Sequence, residues 1–74
     1  MSKTEQNKIR YTVACVNEFA KSKSLTKTQA FFYLLEHKAI SFLNEFYDVE
    51  HTLSFEDAIS DLTHVSQQNG GKIQ

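Results

Sequence analysis

Proline is absent from the 74 residues, glycine occurs twice and cysteine once. Each scarcity excludes something. A lone Cys15 cannot close an internal disulfide, the usual staple of small secreted domains, and it favours a reducing compartment. Long apolar stretches are missing too. The longest, Ala30 to Leu35, has six residues, against the roughly 20 that a bilayer-spanning helix needs. The N-terminal MSKTEQNK carries no hydrophobic signal segment. A soluble, unprocessed, cytoplasmic chain with no membrane role is therefore expected. The two glycines, Gly70 and Gly71, lie together near the C-terminus, so no glycine-rich loop is available to cradle a phosphate.

What remains is one domain, residues 1–74. A chain of 8.5 kDa buries only about 60% of the surface it exposes when unfolded, which leaves no room for a deep interdomain cleft. Net charge is -1, but it is unevenly spread. Residues 1–38 set seven Lys and Arg against three Glu, giving +4, whereas residues 39–74 set Lys72 against six acids, giving -5. Such polarity lets one half complement the other, or steers a charged partner.

Apolar residues recur every three or four positions and nowhere alternate as in a strand, so the fold class is all-α. The pattern reads as a compact bundle of about four helices, near 3–21, 27–37, 40–47 and 55–68. Three starts are marked by caps: Ser2 with Glu5, Thr26 with Gln29, and Ser54 with Asp57. Leu25 with Ala30, and Leu53 with Ala58, fit the hydrophobic staple that accompanies such caps. The buried stripe of the first helix reads as Ile9, Val13, Val16 and Ala20, with Thr12 and Phe19 on its flank. That of the last reads as Phe55, Ala58, Ile59, Leu62 and Val65. Asn69, Gly70 and Gly71 end it, and 70–74 reads as a frayed tail.

No enzyme site assembles from these residues. His37, His51 and His64 are far apart, with no HExxH or paired-cysteine spacing, so neither a metal nor another cofactor is implied. Cys15 sits mid-helix without a neighbouring cation and reads as a small buried hydrophobe. Glu56 and Asp57 are explained by the helix dipole. His51 with Asp48 is the one local acid–base pair that a small hydrolase or transferase would use. Aromatic residues are more informative. Phe31, Phe32 and Tyr33 stand within a six-residue apolar run, which at about 100° per residue encircles the helix. Either Phe31 or Phe32, together with Tyr33, is therefore expected outside the monomer core, as a protein–protein contact. The competing non-enzymatic reading is a DNA-binding regulator using the basic first half, where Lys21, Lys23 and Lys27 surround a short interhelical turn. The helix after that turn, however, offers Phe-Phe-Tyr-Leu-Leu where base readers need polar side chains.

The stretch from Leu25 to Leu62, and above all Phe46-Tyr47-Asp48-Val49-Glu50-His51-Thr52, resembles the small bacterial proteins of domain-of-unknown-function family 3791. Only the tail from Thr63 to Gln74 departs from a shorter member. Some members of that family are encoded beside a second uncharacterised family likened to ADP-ribosyltransferase-type toxins. The resemblance thus implies a small partner or antitoxin-like protein rather than an enzyme, and it carries over no catalytic residues; the aromatic face of the second helix is expected to meet either a protein encoded nearby or a second copy, as a homo-oligomer. Physically, Phe46 and Tyr47 are expected to anchor the third helix in the core. Asp48 and His51 are placed to bond backbone groups freed at its end, with Asp48, Glu50 and His51 as candidate partner contacts.

Overall fold

The computed structural model describes residues 2–72. Five helices follow one another: α1 (Lys3–Lys23), α2 (Lys27–Glu36), α3 (Ala39–Glu45), α4 (Tyr47–Glu50) and α5 (Phe55–Gln68). No strand occurs among the described residues. The long axis of 37 Å is set by α1, whose 21 residues span about 32 Å at 1.5 Å per residue. Against it lie α2 and α5, with α3 bridging all three.

The caps form as their residue types require. Ser2 Oγ accepts from the Glu5 amide at 3.1 Å and Ser54 Oγ from the Asp57 amide at 3.1 Å. At α2 the box closes both ways: the Gln29 amide donates to Thr26 Oγ1 (3.0 Å) and the Thr26 amide to Gln29 Oε1 (2.9 Å). Two turns are made without glycine. Ser24 (φ 58°) and Lys38 (φ 66°) both take the left-handed conformation, which costs an L-residue about 1 kcal/mol. Ser24 allows the Leu25 amide to reach back to the Ala20 carbonyl at 2.9 Å, a Schellman-type closure of α1.

The core consists of Cys15, Val16, Phe19 and Ala20 from α1, Ala30 and Leu34 from α2, Ala39 and Leu43 from α3, and Ala58, Ile59 and Leu62 from α5. Two expected stripes are corrected by it. Ile9 and Val13 are 51% and 54% exposed, while Phe19 is fully buried. At 100° per residue the buried face of α1 is turned by about 60° from the Ile9–Val13–Val16–Ala20 line toward Cys15 and Phe19. One phenylalanine buries more apolar area than either β-branched residue, so its face prevails. Phe55 also stays exposed, its ring stacked on Tyr11 at 6.5 Å. The expected third helix, 40–47, is divided at Phe46 (φ -105°, ψ 23°). Its carbonyl accepts from both the Val49 and Glu50 amides and so starts the extra turn, α4. Phe46 is itself exposed rather than anchored in the core. At the other end, Gly70 (φ 87°) turns the chain, and the Gly71 amide donates to the Ser66 carbonyl at 2.8 Å. Gly71 is buried and Lys72 exposed; positions 73 and 74 of the expected tail lie outside the described residues.

Candidate functional site

Two places stand out, one on the surface and one buried beneath the Phe46–Thr52 corner. On the surface, α2 presents Phe31, Phe32 and Leu35 and α1 presents Ile9 and Val13, each between 38% and 59% exposed. The two phenylalanine rings meet edge to face at 5.7 Å. Ile9, Val13, Phe31 and Ile40 line one open groove of about 740 Å³, with Glu5, Lys8 and Asn44 on its rim. Both Phe31 and Phe32 thus lie outside the core. Tyr33 does not. Its ring stacks on Phe19 at 5.8 Å, and its buried hydroxyl faces Ser66 and Gly71, where neither hydroxyl makes a well-formed hydrogen bond. Burial pushes the Tyr33 phenol up, with the Ser66 hydroxyl partly opposing.

At the corner the expected trio separates. Asp48 and His51 are exposed, and Glu50 is only 4% exposed. His51 does bond a freed backbone group: its Nδ1 donates to the Tyr47 carbonyl at 2.7 Å while its ring stacks on Tyr47 at 4.4 Å. Thr52 Oγ1 donates to the Val49 carbonyl at 2.6 Å. Tyr47 meets Tyr11 edge to face at 5.7 Å, and Lys8 lies 6.0 Å from the Tyr47 ring centroid.

Glu50 turns inward instead. Its carbonyl accepts from the Tyr11 hydroxyl at 2.9 Å, and its carboxyl Oε1 is buried without a hydrogen-bond partner. Desolvation first, then the hydrogen bond and charge of the facing Asp61 carboxyl, push Glu50 up to about 7. Tyr11 lies against Cys15, and burial pushes both groups above their ordinary values. A buried thiol kept protonated is a poor nucleophile. This cluster of Tyr11, Cys15, Glu50 and Asp61 was not visible as a unit in the sequence. Its one signal was Asp61, an acid at the margin of the apolar stripe of α5.

The remaining candidates stay apart. Among the described residues no three His, Cys, Asp or Glu side chains gather as metal ligands. His37 Nδ1 donates to the Asn69 carbonyl at 3.1 Å and ties α2 to the end of α5, while His64 lines a second groove between α1 and α5. Lys21 pairs with Glu18 at 3.4 Å, and Lys23 lies over the Phe19 ring.

The family model described as "Protein of unknown function (DUF3791)" matches residues 10–69. The chain belongs to this family. Among curated proteins and among solved structures, nothing matches it. The DUF3791 match runs from just before Tyr11 to the end of α5, and so takes in both the buried acid cluster and the Phe31–Phe32 face. No helix among the described residues is long and apolar enough to cross a membrane.

Proposed function

We propose that this DUF3791 protein is a non-enzymatic, cytoplasmic protein–protein interaction module, antitoxin-like, whose apolar face on α1 and α2 is covered by a neighbour-encoded protein or by a second copy. The observation that carries this reading is the exposure of Ile9, Val13, Phe31, Phe32 and Leu35, of which Ile9, Val13 and Phe31 line one groove and Phe32 packs its ring on Phe31. Fully burying such a side chain is worth about 1.5–3 kcal/mol, so covering the exposed half of each returns roughly 1 kcal/mol. Five of them only begin to offset the roughly 4–15 kcal/mol cost of association. The partner must therefore add polar contacts at the rim, and the +4 and -5 halves supply steering for them.

The test is the solution mass of the purified protein, alone and co-expressed with its genomic neighbour. Either a mass above that of the monomer or co-purification with the neighbour is expected, with Phe31→Ser/Phe32→Ser abolishing it. A strictly monomeric protein that captures nothing refutes the reading. Retention on DNA with a steep salt dependence would instead establish the alternative, a DNA-binding regulator using Lys21, Lys23 and Lys27.

A further inference from the structure

We propose that the Glu50–Asp61 carboxyl pair is a proton-operated latch: one proton shared between the two acids holds the α4 turn against α1 and α5, and its loss releases that turn. The geometry gives the latch its parts. Glu50 is the only buried residue of α4, and Val49 beside it is among the most exposed apolar side chains in the molecule. Phe46, at the start of the turn, is exposed as well. Little apolar burial therefore fixes this segment. Besides Glu50 it is held by the Tyr11 hydroxyl on the Glu50 carbonyl and by the edge contact of Tyr47 with Tyr11.

A neutral Glu50 can donate its proton to Asp61. An ionised Glu50 is buried, with an orphaned Oε1 and a second acid in front of it, a state costing more than swinging the side chain out into solvent. The groups facing it are Tyr11 and Cys15 from α1 and Asp61 from α5, none of them a cation. On the neighbouring turns Glu45, Asp48 and His51 are exposed, and Lys8 is engaged with the Tyr47 ring. The closed state binds the proton more tightly than an open, solvated Glu50 does. Closure is therefore complete in mild acid and weakens as pH rises through about 7.

Amide hydrogen exchange of the whole chain, read residue by residue by NMR as protection factors, tests this. Between about pH 5 and about pH 8, protection of the Val49 to Leu53 amides is expected to fall roughly tenfold or more, while that of the α1 and α5 core amides holds. Glu50→Gln, which keeps the shape and a donor to Asp61 but cannot ionise, should abolish the pH dependence. Asp61→Asn, which removes the acid that helps to raise Glu50, should shift it to lower pH and flatten it, and serves if the first variant folds poorly. A pH-independent wild type, an unchanged loss in Glu50→Gln, or a loss spread equally over α1 and α5 each overturns the latch.

Discussion

Gly71 offers the sharpest test of how the end of α5 is seated on α2. A Cβ placed there would run into Tyr33 Oη and stand 2.9 Å from Tyr33 Cζ and 2.8 Å from the Ser66 carbonyl oxygen. The backbone at Gly71 is not left-handed, so Gly71→Ala carries no conformational penalty and should even gain about 0.4–1 kcal/mol from the unfolded chain. Overpacking of this kind costs about 1–3 kcal/mol, leaving a net loss of about 1–2. For a domain of this size that lowers Tm by roughly 5–15 °C. Tyr33→Phe removes the atom in the way and also a buried hydroxyl that lacks a partner, so alone it should be nearly neutral. Combined with Gly71→Ala it should recover up to about half of the loss, since the contacts with the ring Cζ and the Ser66 carbonyl persist. Gly70→Ala provides the contrast: its Cβ meets open space, and its cost of about 1 kcal/mol comes from φ alone. Urea unfolding of Gly71→Ala, Gly70→Ala, Tyr33→Phe and the two doubles with Tyr33→Phe, read as two double-mutant cycles, decides it. A neutral Gly71→Ala, or a Tyr33→Phe coupling no larger at Gly71 than at Gly70, refutes the close approach.

The two left-handed turns lacking glycine invite the opposite change. Ser24→Gly and Lys38→Gly should each stabilise by about 0.5–1 kcal/mol, and a lowered Tm for either would contradict the turn geometry. Cys15 is fully buried, with its thiol pushed up by burial. Its reaction with a disulfide reagent at neutral pH should be about 100-fold slower than in urea, and native labelling at the free-thiol rate would show that the core is open there. If the partner is a second copy, Tm should rise with protein concentration in the wild type but not in Phe31→Ser/Phe32→Ser. A concentration-independent Tm would point to a different protein as partner.

The helix starts were legible because capping is local: Ser2, Thr26 and Ser54 each act on an amide three residues on, and nothing distant can displace that bond. The last helix was legible to its ends for the same reason, with Gly70 supplying the left-handed turn. Facing is a tertiary property and was not. Val13 and Phe19 lie on opposite margins of one stripe in α1, and only the approach of α2 and α5 decides which margin is covered. The division at Phe46 was hidden because no glycine or proline marks it. Of the candidate contacts, the exposure of one of Phe31 and Phe32 could be read from the circumference of α2, since one small bundle cannot cover a whole helix, and the structure exposes both. Tyr33 was misplaced because its inward position depends on Gly71, 38 positions later. Glu50 was misplaced because the acid facing it comes from a different helix.

The exposed face and the composition of the core are linked by volume. Five of the eleven core residues are Ala or Cys, and only Phe19, Leu34, Leu43 and Leu62 are both large and fully buried. Small residues let helices approach closely, but each contributes little apolar area, so the monomer keeps only part of the stabilisation its sequence carries. The remainder sits outside, on Ile9, Val13, Phe31, Phe32 and Leu35. Redirecting that area inward would require α1 to turn back by about 60°, which would expose Phe19 and open the contact with Tyr33. The inner face can be filled by Phe19 or by Ile9 and Val13, but not by both. A helix with two apolar margins, of which its own bundle covers one, leaves the other exposed, and α2 places Phe31 beside it with the Phe32 ring packed on Phe31.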